Sequence, residues 1–223
     1  MEFWLLQRGG PSQLSLSQPP REDFHVAVDY RQLTEDLRGF YDFTGRVVLF
    51  VGAGGRQLLD PSIETKKLIA IDRDIVGLRE FRRNHADRGG GESVQVVDGE
   101  FEDVNLCGDV VYFEFCLHEM LDPQRALAHA RTLAPDVVVF DHLPGSDWVY
   151  YAAEEKAVRR SAEAMKHFGI RRRREFHNEQ RFQDHAELLA KIAAQGPMAI
   201  ARAQYFASAT NIVIPMRYEL ALL

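Results

Sequence analysis

The stretch Arg46-Val47-Val48-Leu49-Phe50-Val51-Gly52-Ala53-Gly54-Gly55-Arg56 decides how this chain is read. A short β-branched and aromatic run breaks off into Gly-x-Gly-Gly. Twenty residues beyond Gly52, a second apolar run, Lys67-Leu68-Ile69-Ala70-Ile71, ends in Asp72. A buried strand, a glycine turn and an acid at the tip of the next strand is how an α/β sheet holds a nucleoside. The glycines let the backbone approach a ligand where a Cβ would collide. The acid accepts hydrogen bonds from ribose hydroxyls. Dinucleotides and adenosyl ligands share this pattern, and the residues around it have to separate them.

Upstream, Asp29 with Gln32 three residues on is a capping-box pattern, and Tyr30, Leu33, Leu37 and Phe40 follow helical spacing. Downstream of the glycine turn a short helix is interrupted by Pro61. Ile75, Leu78 and Phe81 then mark one face of a helix, and Gly89-Gly90-Gly91 turns the chain into a third strand, Val94 to Val97. An acidic loop, Asp98 to Val104, follows. The fourth strand, Asp109 to Phe115, runs into Cys116-Leu117-His118-Glu119-Met120. Asp122 caps and Pro123 starts a helix through Leu133, and Val137 to Phe140 is a fifth strand that ends at Asp141-His142. Strands alternating with helices at this spacing predict a parallel, doubly wound sheet.

The remaining third is read less directly. Tyr151, Val158, Ala162 and Met165 lie on one face of a long helix stopped by Gly169. Asp184 and Glu187 form a second capping box before Leu188, Leu189 and Ile192, with Gly196-Pro197 as the stop. Two strand-like runs, Met198 to Phe206 and Ile212 to Leu220, close the chain as antiparallel neighbours. Pro215 predicts an edge position or a bulge there. Residues 145–182 make too long a connection for a simple crossover and are expected to form an inserted helical lid.

The chain of 223 residues suits one well-buried α/β domain, 24–223, behind an irregular N-terminal arm, 1–23, rich in Gln, Ser and Pro. A net charge of −6 gives no electrostatic footprint for nucleic acid. The Arg171-Arg172-Arg173-Arg174 run reads either as a solvated face or as an attractor for an anionic substrate. Cys107 and Cys116 form no disulfide framework, which points to a reduced, cytoplasmic setting. No run reaches membrane-spanning length, and Met1-Glu2-Phe3-Trp4-Leu5-Leu6 lacks the basic start of a signal peptide.

Taken in order, these motifs resemble the class I S-adenosylmethionine-dependent methyltransferases from about Tyr30 to Leu220. The shared parts are Gly52-Ala53-Gly54, Asp72, Gly99-Glu100-Phe101-Glu102, and Leu117-His118-x-x-x-Asp122-Pro123, which matches the family's Leu-His-x-x-x-Asp-Pro. The resemblance implies a Rossmann-like, mostly parallel seven-stranded sheet ending in an antiparallel hairpin, with S-adenosylmethionine as cofactor. It places Gly52, Ala53, Gly54, Asp72, Arg73, Glu100, Phe101 and Glu114 at the cofactor, with Asp72 on the ribose, Glu100 on the adenine amino group and Phe101 against the ring. Two positions depart from the pattern. Phe50 stands where the family often has an acid, and Arg56 replaces the third glycine, from where it can reach the methionine carboxylate.

The acceptor side follows from the rule that ligands sit at the carboxyl ends of the strands. His118, Glu119, Asp141 and His142 fall at two such ends. His118 or His142 can serve as the base that takes the acceptor's proton, or either can be a packing residue. No metal is expected, because adjacent residues on a strand point to opposite faces. Trp148 and Tyr150, at the start of the insertion, are expected to line the acceptor pocket. The expected reaction is methyl transfer to O or N of a small, aromatic or heteroaromatic acceptor, with no nucleic-acid or membrane partner and with room for a homodimer. A nicotinamide-dependent oxidoreductase and a non-catalytic adenosyl-binding domain are the alternatives.

Overall fold

The computed structural model describes residues 28–54, 64–87 and 94–223. Its strands are β1 (Val47–Val51), β2 (Lys67–Asp72), β3 (Val94–Asp98), β4 (Val110–Glu114), β5 (Asp136–His142), β6 (Arg172–Asp184) and β7 (Thr210–Leu222). They form a seven-stranded sheet in the order β3-β2-β1-β4-β5-β7-β6. The first five strands are parallel, and β7 runs antiparallel to both β5 and β6.

Strand alternation builds two cores. On β1, Val48 and Phe50 face one layer while Leu49 and Val51 face the other. The first layer holds α1 (Tyr30–Phe40), α2 (Ile75–Asp87), α4 (Asp147–Tyr151), α6 (His185–Ile192) and α7 (Pro197–Ala203). The second holds α3 (Pro123–Leu133) and α5 (Glu155–Phe168), packed through Ala126, Leu127, Ala130, Ala164 and Met165. A sheet covered on both faces needs near-continuous apolar strands, and β1, β2, β4 and β5 have them.

The caps form as their sequences dictate. The Asp29 carboxylate accepts from the Gln32 N–H at 3.1 Å, Asp122 accepts from Arg125 at 3.1 Å and Asp184 accepts from Glu187 at 3.0 Å. The short helix expected around Pro61 and the glycine turn at 89–91 lie outside the described residues, as do Arg56 and the arm at 1–23.

Three expectations change. Met198 to Phe206 is helix, not strand, because Pro197 occupies the first turn of α7 and Ala-rich sequence continues it. The partner of β7 is instead β6, whose polar sequence hides a strand. The segment 145–182 is not helical throughout: α4 and α5 lead from β5 to the strand β6, with α5 packed on α3. The inserted helices are those of 185–209, between the last two strands. Pro215 sits beyond the final β5–β7 pair, His142 with Tyr218, so β7 has a neighbour on one side only at that point.

The arginine run pins this edge. Arg171 bonds Asp136 at 2.7 Å, Arg172 donates to the Phe40 carbonyl and lies over the Phe40 ring, and Arg173 pairs with the buried Glu219.

Candidate active site

The glycine turn is built by contact at its own scale. Gly52 has φ +82°, and a Cβ there would lie 2.9 Å from Cys116 Sγ. A Cβ on Gly54 would lie 2.9 Å from the Asp72 carboxylate. Asp72 accepts from the Gly54 N–H at 2.8 Å and from the Asp74 N–H at 2.8 Å, one on each oxygen. The acid at the tip of β2 therefore holds the turn, and each oxygen keeps a lone pair for a ligand. Helix α2 closes on the turn at Gly77, where any side chain would strike the Gly54 carbonyl.

Two cavities open at this turn. A groove of about 630 Å³ runs past Asp72, Arg73, Glu100, Phe101, Met120 and Arg160. Glu100 is exposed and faces Arg73 across 4.0 Å. Phe101 contributes an edge only, since its ring is buried against Phe113 and His129. A smaller chamber of about 290 Å³ lies on the other side, with Glu114, Phe115, His118, His142, Trp148 and Glu154 among its walls. Both cavities share Gly52, Asp72, Cys116 and Glu119.

At the floor of the chamber, Asp141 is fully buried at the end of β5. Its carboxylate takes the His118 ring at Nδ1 (2.5 Å), the backbone N–H of His118 (3.0 Å) and of His142 (2.8 Å), and the Ser161 hydroxyl (3.3 Å). His118 Nε2 lies 3.8 Å from Glu154. Burial disfavours the His118 imidazolium, but Asp141, with Glu154 and Glu119 behind it, outweighs burial and raises its pKa to about 9. His142 goes the other way. Burial and the neighbouring charge of His118 lower it to about 3, so it stays neutral. Burial also raises the Glu154 carboxyl.

Backbone strain collects here. Phe115 (φ 47°) and Ala153 (φ 60°) are non-glycine residues in the left-handed region, next to Cys116 and Glu154 respectively.

The fold has solved counterparts. A protein of Bacillus halodurans assigned as a methyltransferase superposes with TM-score 0.63 at 14% identity, covering 85% of this chain and 96% of its own. The YcgJ protein of Bacillus subtilis gives 0.62 at 13%, covering 87% and 97%. An S-adenosylmethionine-dependent methyltransferase of Aquifex aeolicus gives 0.50 at 16%, covering 88% and 90%. The chain has the class I methyltransferase fold. No family model matches the sequence, and no curated protein is significantly similar to it. At these identities the likeness is one of fold.

Within the class I methyltransferase fold, the expected residues divide. Gly52, Asp72 and Glu119 lie where the two cavities meet, Arg73, Glu100 and Phe101 on the groove, and Glu114, His118, His142 and Trp148 on the chamber. Gly54 and Asp141 act from behind, through hydrogen bonds to Asp72 and His118, and Ala53 is buried beside the turn. Tyr150, expected on the acceptor side, lines neither cavity. It is half exposed, with Arg202 stacked 4.1 Å from its ring centroid, because α4 turns it away from the face that buries Trp148.

Sequence reasoning missed Glu154, Gln180, Lys191 and Gln195, all of which line the chamber. The second capping box at Asp184 was the available signal, since it starts the helix that carries Lys191. Gln180 had none, because its strand was not recognised.

Proposed function

We propose that this protein transfers a methyl group from S-adenosylmethionine to O or N of a small acceptor. One observation carries the reading: a groove and a chamber meet at a glycine turn that has no room for side chains, with Asp72 at the junction. The groove suits an adenosyl group, with Asp72 on the ribose and Glu100 on the base. The chamber suits the acceptor. S-adenosylmethionine, when bound, supplies an electrophilic methyl on a sulfonium.

The chain's own residues then align and deprotonate. Trp148 and Phe115 wall the chamber and exclude water, and holding the acceptor in line is worth about 7–11 kcal/mol at best. His118 is the proton acceptor at Nε2, because Asp141 fixes the proton on Nδ1. With a pKa of about 9 it is a strong base, present in its free form mainly at alkaline pH. His142, near 3, is too weak a base and serves as a neutral hydrogen-bonding group. No helix among the described residues is long and apolar enough to cross a membrane.

Calorimetry with S-adenosylmethionine, S-adenosylhomocysteine and NAD tests the cofactor. Binding of the first two without NAD is the expected result, and NAD binding alone would replace this reading with the oxidoreductase. An acceptor screen that detects S-adenosylhomocysteine tests turnover. Tight cofactor binding with no turnover against any acceptor would leave a non-catalytic adenosyl-binding domain.

A further inference from the structure

Two polar atoms in the chamber wall lack a hydrogen-bond partner among the described residues: Gln180 Oε1 and His142 Nδ1. Their residues are only 6% and 8% exposed, and both line the chamber. A buried polar atom left without a partner destabilises the state that leaves it so. Such atoms inside a cavity call for a partner, which a water or a ligand group supplies.

The Gln180 amide is oriented by its other end. Nε2 donates to Met216 Sδ at 3.3 Å, so Oε1 is the free atom and can only accept. His142 Nδ1 belongs to a neutral ring. The two sites are apart: His142 pairs with Tyr218 and Gln180 with Ile214, four residues along the same strand β7. At the usual rise this is roughly 13 Å of backbone. His142 is at the reacting end, its ring centroid 5.5 Å from that of His118. Gln180 is at the far end, where β6 bridges to Val28.

The apolar part of the chamber lining includes Leu33, Phe115, Trp148 and Met216. The charges around the chamber are mixed in sign. Glu114, Glu119 and Glu154 oppose an anion, while the His118 imidazolium and Lys191 oppose a cation.

We infer that the acceptor is a neutral aromatic molecule of one or two rings with hydrogen-bonding groups at both ends, one donating to Gln180 while the other lies at His118 and His142. This rests on the methyl-transfer reading for the identity of the reacting end, and Gln180 becomes a specificity-determining residue. An O–H or N–H at the far end completes the Gln180 amide. A molecule with only the reacting group leaves that amide buried and unpaired, and so binds more weakly.

The test uses 5-hydroxyindole, indole and indene, which share a bicyclic shape and carry two, one and no donors. Each is titrated calorimetrically into protein saturated with S-adenosylhomocysteine. Affinity is expected to fall about tenfold at each step, the size of one hydrogen bond to a buried group. Gln180→Leu is expected to bring 5-hydroxyindole down to the level of indole. Cationic 5-hydroxytryptamine and anionic 5-hydroxyindole-3-acetate are expected to bind more weakly than 5-hydroxyindole. Equal affinity for the three neutral probes, no binding of any of them, tighter binding of a charged probe, or an undiminished 5-hydroxyindole advantage in Gln180→Leu would each overturn the inference. Should Gln180→Leu not fold, Gln180→Met replaces it, and the wild-type series already decides the point. If S-adenosylhomocysteine itself does not bind, the methyl-transfer reading fails separately, and the same probes on the free protein still judge the role of Gln180.

Discussion

His118 and Asp141 reach each other from the tips of neighbouring strands, with the imidazole Nδ1 2.5 Å from a carboxylate oxygen. The same carboxylate holds the backbone of both His118 and His142 and takes the Ser161 hydroxyl from α5. One buried acid thus sets the floor of the chamber and the protonation of the ring above it. Asp141→Asn keeps the volume and removes the charge. It is expected to cost about 3–5 kcal/mol of stability, because a buried partner is lost, and to lower the His118 pKa. Denaturant unfolding and histidine NMR titration check the two effects.

The two histidines give stability a maximum in pH. His118 has a folded pKa raised to about 9 from the ordinary 6.5, so its pairing contributes fully below pH 6.5 and is lost as pH rises through 9. His142 has a folded pKa lowered to about 3, so the unfolded state alone takes up its proton as pH falls below 6.5, and stability drops from there toward pH 3. Unfolding midpoints measured from pH 4 to 10 should therefore decline on both sides of pH 6.5. A midpoint that is flat between pH 7 and 10 would exclude the raised His118.

Glu154 acts on the same ring from the solvent side, 3.8 Å from Nε2. Glu154→Gln removes one of the charges that raise His118, so the alkaline limb of the stability profile should move to lower pH. Under the proposed reaction the pH dependence of kcat/KM should move with it. NMR of the His118 ring gives the same quantity without turnover.

Asp72 has two tasks, holding the glycine turn and facing the proposed ribose site. Asp72→Ala is expected to weaken S-adenosylhomocysteine binding by about 1–3 kcal/mol, because the charged acceptor is lost. Calorimetry on the folded variant, with circular dichroism as control, measures this. Unchanged affinity would leave Asp72 with its structural task alone.

Gly52 admits no side chain, since its φ is +82° and a Cβ would press on Cys116. Gly52→Ala is expected to destabilise the protein by about 1–3 kcal/mol through backbone strain. It should also weaken cofactor binding, because the turn has to shift. Thermal unfolding and calorimetry report the two losses.

Much of the fold was legible in the chain. The apolar runs of β1, β2, β4 and β5, the acid-capped helices and the glycine turn are local signals, carried by residues whose own preferences agree with the fold. They were enough for sheet type, for the strands β1 to β5 along the chain, and for the positions of Asp72 and His118, but the spatial order of the strands came from the structure. Of the closing strands, β7 was legible in the apolar run Ile212 to Leu220, and β6 was not. β6 reads Arg-Arg-Arg-Glu-Phe-His-Asn-Glu-Gln-Arg-Phe-Gln-Asp, polar because it is an edge with one face in water and because Gln180 turns inward to a cavity rather than to core. The apolar run after Gly196 imitated a strand but folds as α7 behind Pro197.

The sequence by itself determined a doubly wound sheet with a nucleoside-type turn and named the histidines and acids at its carboxyl edge. Only the tertiary structure decided what those groups are. His118 is charged and His142 neutral because one buried carboxylate, from a different strand, lies beside the first ring and leaves the second desolvated. Burial and a partner twenty-three residues away set a pKa, and neither is written in the local pattern. The same holds for the chamber itself: Glu154, Gln180 and Lys191 come from three separate elements, and long-range packing alone brings them to one wall.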